Sequence, residues 1–226
     1  MLTDLVRAKV WERASSFYSD RDWAHGRSHI ERVTRAAIEI GTQEGADLDI
    51  IELAAILHDI FEHRETHSNI EGLKHEVHGA QEARRILTSL GIPSEVTERV
   101  CHCIEAHRKR TGPEPRTIEA KCLFDADKLD CIGAIGVIRA AFVSFDHGQE
   151  FYKEEKDIEG YKRKNIRPDG TIIDFSKHSS NLEYELSLKQ VASRVYTQTG
   201  RRLAVERAAF MDEFFERVGK EIKGVL

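Results

Sequence analysis

Proline is scarce: 226 residues hold only Pro93, Pro113, Pro115 and Pro168. Each falls where a loop is expected, so little interrupts the backbone donors that long helices need. The four cysteines, Cys101, Cys103, Cys122 and Cys131, form no C-x-x-C pair and no spaced framework. That argues against a disulfide scaffold and a zinc ribbon. Cys122 and Cys131 stand among apolar residues and read as reduced core thiols of a cytoplasmic protein. Cys101 and Cys103 flank a histidine, but a C-x-C on a helix points its sulfurs apart. There is no apolar run long enough to cross a bilayer, so no membrane span is expected. Neither charge sign dominates: 34 Lys and Arg against 39 Asp and Glu leave a net charge of -5. No global field therefore draws the chain to nucleic acid. The first residues, MLTDLVRAKVWERASSFY, mix charges into their apolar positions and read as an amphipathic helix, not a secretory signal. No internal repeat or low-complexity tract occurs.

What is present is helical period. Apolar residues recur at three and four over Leu2–Tyr18, His29–Gln43, Val77–Leu90 and Leu203–Ile222. Asp49–Phe61 is apolar almost all round, the mark of a central helix. Ser94 reads as the N-cap of a helix to His107. Further helices are expected over Ile118–Leu129, Ile132–Val143 and, capped by Ser180, Asn181–Thr197, with Gly200 breaking the chain before the last one. Regularity fades between Ser144 and Ser179, where Thr171–Asp174 has an extended look. The expectation is all-α: one compact domain over 1–226, a bundle of about seven to nine helices. Its core covers about 20–145, a loop or lid insertion about 146–180, and C-terminal helices 181–222.

The chemistry-bearing residues stand in a definite order. His29 lies in HGRSHIERV, His58 and Asp59 in LAAILHDIFEH, and Asp127 in LFDADKLDCIGAIG. A lone His-Asp pair is most simply a helix-terminal histidine with a capping aspartate. Four N and O donors on separate helices instead make a metal site, and such a site with open positions can hydrolyse. Glu62 follows His58 by four residues, one turn along the same face, and is a candidate to orient water or act as general base. A plainer reading makes it a surface carboxylate. His25 precedes His29 by four and can orient groups around the metal without binding it. Asp125 and Asp130 read as solvent-facing or packing residues, and His63, His67 and His75 as ordinary loop residues. His102, His147 and His178 have no supporting context and default to solvated. Arg139 is expected to be buried against a carboxylate or to reach the pocket. Lys162, Arg163 and Lys164 read as a solvated loop, or as a lid over a triphosphate.

The order His29, His58-Asp59, Asp127 resembles the HD superfamily of metal-dependent phosphohydrolases, and the flanks DWAHGRSHIERV, AAILHDI, FDADKLDCIGAIGVIRA and TGRRLAVERAAFMDEFFERV extend the likeness over nearly the whole chain. The resemblance implies a divalent ion on His29, His58, Asp59 and Asp127, with Mn favoured over Mg, Co, Ni, Zn or Fe. It implies attack of metal-bound hydroxide on phosphorus, with Asp59 and Glu62 as the catalytic side chains. The substrate would be a small phosphorylated metabolite, a nucleotide in the most similar subgroup, cleaved as a nucleoside triphosphate to monophosphate and pyrophosphate. 5′-Nucleotidase and cyclic-nucleotide phosphodiesterase activities use the same core. His78, His107, Lys128 and Arg108 are expected to face the phosphates, Arg108 with Lys109 and Arg110 in a short basic run. His78 and His107 resemble, alternatively, the extra histidines of two-metal relatives, including two-iron oxygenases. HDIFEH carries His63 where the guanosine tetraphosphate hydrolases have Asp, which removes that specific role and leaves Glu62.

Overall fold

The computed structural model describes residues 2–19, 22–62, 74–108, 112–168 and 170–225. His63, His67, Lys109 and Arg110 lie outside them. The fold is all-α: ten α-helices and two short 3-10 segments among the described residues. They are α1 (Asp4–Ser15), α2 (Arg27–Glu44), α3 (Leu48–Leu57), α4 (His75–Ser89), α5 (Ser94–Ala106), α6 (Ile118–Asp130), α7 (Gly133–Asp146), α8 (Ile158–Asn165), α9 (Ser180–Leu186) and α10 (Gln198–Ile222). No β-strand occurs among those residues, only isolated bridges joining Glu150 to Ser179 and Ile166 to Ile172. The second bridge falls on the stretch with the extended look. Among the described residues no helix is long and apolar enough to cross a membrane.

The chain sorts into two units, Met1–Asp127 with Tyr196–Gly200, and Lys128–Val195 with Arg201–Leu226. In the first, α3 is central: it packs on α1, α2, α4 and α5. Its sequence explains the position, since Ile50, Ile51, Leu53, Ala54, Ala55, Ile56 and Leu57 are all buried. Asp47 caps its start, accepting from the backbone N–H groups of Asp49 and Ile50. Arg7 on α1 reaches Glu52 at 2.6 Å and Asp49 at 2.8 Å on α3. Pro93, not Ser94, is the cap residue of α5. The fixed proline φ holds the chain extended there, and Ser94 is already the first helical residue.

Asp125 is not solvent-facing; of the two places expected for it, it takes the packing one. It is fully buried and accepts from Tyr196 N at 2.8 Å, Thr197 N at 2.7 Å and Thr197 Oγ1 at 2.7 Å. Thr197 Oγ1 in turn accepts from Gly200 N at 2.9 Å. Gly200 therefore does not break the chain: α10 begins at Gln198 and runs through it. A Cβ at Gly200 would sit 2.4 Å from Asp125 Oδ2, so only glycine allows this approach. Gly200→Ala is expected to cost roughly 1–3 kcal/mol through that clash. Asp125→Ala should cost about 2–4 kcal/mol, because buried donors lose a charged acceptor. In the double variant the glycine penalty should shrink, since the clashing carboxylate is gone and alanine favours helix by about 1 kcal/mol. Urea unfolding of the four proteins measures this; additive losses would contradict it.

In the second unit, Asp130 and Arg139 form a buried ion pair at 2.8 Å. Arg139 is thus buried against a carboxylate, one of the two places expected for it. Gly133 opens α7 with φ of 78°, a left-handed conformation that favours glycine. The segment between Ser144 and Ser179 contains α8 and the 3-10 turn Phe175–Lys177. His178 there is buried, not solvated. It accepts from or donates to Tyr161 Oη at 2.7 Å and lies 3.1 Å from Glu183 Oε2, while Asn165 Nδ2 donates to Tyr161 at 2.7 Å. The helix expected over Asn181–Thr197 is interrupted: α9 ends at Leu186, Ser187 leaves the helical region at φ -131°, and a 3-10 turn follows over Leu188–Ser193. Ser179 is the N-cap of α9, and Ser180 Oγ bonds Ser144 Oγ at 2.8 Å.

Candidate metal centre

Two helices of the first unit end on histidine in the same way. His58 caps α3, and its Nδ1 lies 2.8 Å from Ala55 O. His107 caps α5, and its Nδ1 lies 2.6 Å from Ile104 O. A carbonyl only accepts, so each Nδ1 carries a proton, and Nε2 is the nitrogen left to offer a lone pair to an ion. The last carbonyls of a helix lack intrahelical donors, and these imidazoles satisfy one each. For His58, the plain reading as a helix-terminal histidine is correct in backbone terms. The same bond fixes the tautomer and the aim of its other nitrogen.

That nitrogen meets the other predicted residues. His58 Nε2 is 3.4 Å from Asp59 Oδ2, and His29 Nε2 is 3.5 Å from both Asp59 Oδ2 and Asp127 Oδ1. His29 reaches the spot from the first turn of α2. A tight turn before it, with Asp22 Oδ1 accepting from Ala24 N and His25 N at 2.9 Å each, sets the start of that helix. Asp127 comes from α6, two residues past Asp125. Two helical residues span about 200°, so one aspartate faces the centre while the other faces away. Donor atoms of His29, His58 and Asp127 all lie within 4.8 Å of one another, and all three residues are buried.

A second group adjoins the first. The donor atoms of Asp59, His75 and His107 also lie within 4.8 Å of one another. Asp59 Oδ1 is 3.3 Å from His107 Nε2 and 3.6 Å from His75 Nε2. One carboxylate thus turns one oxygen to His29 and His58 and the other to His75 and His107. Burial opposes charge on Asp59, yet His58 and the imidazoles of His107 and His29 outweigh it and hold the carboxyl well below the usual carboxylate range. Burial likewise opposes charge on His58, but Asp59, Asp127 and the Ala55 carbonyl push it up to about 9. Burial, with His58 and His75 beside it, lowers His107 despite Asp59.

A divalent cation fits the first group. His58 Nε2 is buried and has no hydrogen-bond partner among the described residues. Bonds of about 2.0–2.2 Å from one ion place neighbouring donors about 3.0–3.5 Å apart, as the imidazole and carboxylate atoms here are. The mixed N and O set suits several divalent ions and is not a soft thiolate site.

Other expected residues are placed as follows. Glu62 is buried beside the centre, its N–H bonded to Asp59 O at 3.0 Å. His25 Nδ1 stands 3.6 Å from Glu62 Oε1 and 3.8 Å from Asp22 Oδ2. Burial works against the Asp22 charge, but hydrogen bonds from His25 prevail and lower its carboxyl to about 2. His78 joins neither donor group; its ring stacks on Phe61 with centroids 5.9 Å apart. His75, expected to be an ordinary loop residue, takes that place at the start of α4. Arg108 Nη1 is 3.2 Å from His75 Nδ1 and 3.6 Å from buried Glu76. Lys128 is half-buried and opens the second unit. Asp22, His75 and Glu76 were not singled out from the sequence. For His75, the usable signal was its spacing of three from His78, which puts both on one helix face.

The pattern has known counterparts. Residues 26–132 match the HD domain. YpgQ of Bacillus subtilis (strain 168), itself uncharacterised, is 30% identical over 229 residues, covering 99% of this chain and 96% of that protein. The chain belongs to the HD superfamily of metal-dependent phosphohydrolases. A crystal structure of YpgQ superposes on this HD protein with TM-score 0.72 at 28% identity, covering 98% of each chain. YpgQ has also been crystallised in complex with ADP (TM-score 0.69, 27% identity, 97% of this chain and 98% of that one). An HD-superfamily hydrolase from Bacillus thuringiensis gives TM-score 0.68 at 26% identity, covering 97% and 96%.

Proposed function

We propose that this HD protein hydrolyses a nucleotide, most specifically a nucleoside triphosphate to monophosphate and pyrophosphate, with a divalent cation held by His29, His58, Asp59 and Asp127. The observation that carries the reading is the convergence of His29, His58 and Asp127 donor atoms within 4.8 Å, with Asp59 Oδ2 against both histidines. When bound, a divalent ion supplies a Lewis acid for a phosphoryl oxygen and makes a water acidic near neutral pH. Mn is the ion favoured. The nucleotide part of the reading is supported by the ADP complex of YpgQ.

The chain's own residues do the rest. His58, its Nδ1 held by Ala55 O, would offer Nε2 to the ion. Asp59 and Asp127 lower the net charge of the centre without filling it. Glu62, one turn past His58 and beside His25, accepts the proton of the attacking water. Lys128 and Arg108 are the proposed counter-charges for phosphate. For His107, its close approach to Asp59 and His75 favours a place beside that carboxylate over one facing phosphate. Glu62→Gln is expected to lower kcat by roughly 10²–10⁴-fold while ion binding persists. Unchanged kcat would remove Glu62 from the chemistry.

The Asp59, His75 and His107 group supports a second reading, in which those residues would hold a second divalent ion beside the first. A two-iron oxygenase is its extreme form and requires iron in the purified protein and oxygen uptake. The deciding experiment is a panel of nucleoside mono-, di- and triphosphates and cyclic nucleotides with Mn, Mg, Co, Ni and Zn. Pyrophosphate release from triphosphates is the expected product. Orthophosphate alone would give the nucleotidase reading, and no hydrolysis with any ion would end the phosphohydrolase one.

A further inference from the structure

The two halves of the centre differ in one respect: what stands behind the histidines. Behind His58 is a carbonyl, which accepts. Behind His75 is Arg108, whose Nη1 lies 3.2 Å from His75 Nδ1. A guanidinium only donates. His75 Nδ1 must therefore be the acceptor, and the ring proton must sit on Nε2. Nε2 is the atom that faces Asp59 Oδ1 at 3.6 Å and His107 Nε2 at 3.2 Å. His107 Nε2 takes that proton on its lone pair, while His107 Nδ1 gives its own proton to Ile104 O. The bonds form one directed chain: Arg108 to His75, His75 to His107, His107 to the backbone. In that chain His75 has no lone pair for an ion, and the lone pair of His107 is already occupied. Buried Glu76, 3.6 Å from the same Nη1, anchors the guanidinium, and the positive charge of Arg108 adds repulsion toward a second cation.

We propose that Arg108 sets the ion count of the centre: docked on His75 and Glu76, it keeps the Asp59, His75 and His107 group from taking a second divalent ion. The inference rests on the reading of His29, His58, Asp59 and Asp127 as the first ion's ligands. A ligating histidine normally gives its distal N–H to an acceptor. Arg108→Gln offers such an acceptor, since an amide oxygen can take the Nδ1 proton and release Nε2.

Histidine-selective ¹⁵N NMR of the metal-free protein reads the tautomer with no variant needed. His75 should carry its proton on Nε2, and on Nδ1 in Arg108→Gln. Mn²⁺ titration, followed by calorimetry and electron paramagnetic resonance, counts the ions. The wild type should bind one ion tightly and a second at least about tenfold more weakly. Arg108→Gln should tighten the second by about tenfold or more and give the spectrum of a coupled ion pair. Adding His75→Ala should cancel that gain. A wild-type His75 proton on Nδ1, two equally tight ions in the wild type, or an unchanged second affinity in Arg108→Gln would each overturn the proposal. If His58→Ala leaves the first ion's affinity intact, the ligand assignment fails instead.

Discussion

Asp59→Ala is expected to lower kcat/KM at least about 10³-fold, equivalent to about 4 kcal/mol of transition-state stabilisation. The size follows from its position. Asp59 contacts both donor groups: Oδ2 faces His29 and His58, and Oδ1 faces His75 and His107. Truncation removes an ionic ligand and leaves buried imidazoles without their carboxylate. Asp59→Asn keeps the shape and most of the packing while removing the charge, so it should be nearly as inactive. Steady-state kinetics with far-ultraviolet circular dichroism separates lost chemistry from lost fold. Folded Asp59→Asn with activity within tenfold of wild type would place the chemistry elsewhere.

The second large effect is thermal. An ion that binds only the folded state stabilises it by about 2.7 kcal/mol when present at about a hundred times its Kd. For a chain of this size that raises Tm by roughly 5–10 °C. Mn²⁺ added to the chelator-treated wild type should produce this rise, and chelator should reverse it. His58→Ala should show almost none, because it loses a lone pair pre-aimed by Ala55 O. An equal rise in His58→Ala would mean the stabilising ion sits at another place.

The sequence reading anticipated the donor group of His29, His58 and Asp127 more fully than that of Asp59, His75 and His107, for physical reasons. His58 ends an apolar helix, and such a helix must be central, so its terminal residues are carried inward. Helix spacing puts Asp125 and Asp127 about 200° apart but does not say which one faces the centre; the resemblance to the HD family pointed to Asp127. His75 and His78 were not separable by spacing. They share a face, and which one meets Asp59 depends on where α4 begins and how it lies, a fact of packing rather than of spacing. Gly200 misled for a related reason: glycine marks helix ends by conformational freedom, but here it marks the close approach of a buried carboxylate 70-odd positions away in sequence. The break at Ser187 carries no proline or glycine to announce it. The all-α class itself was legible because helical period runs through most of the chain.

The most direct measurement is a crystal of the Mn²⁺-loaded protein, with anomalous diffraction locating the ion. The account predicts a peak within bonding distance of His29 Nε2, His58 Nε2, an Asp59 oxygen and an Asp127 oxygen, lost in His58→Ala crystals. A peak at any other cluster, with these four side chains clear of it in an active enzyme, would contradict it.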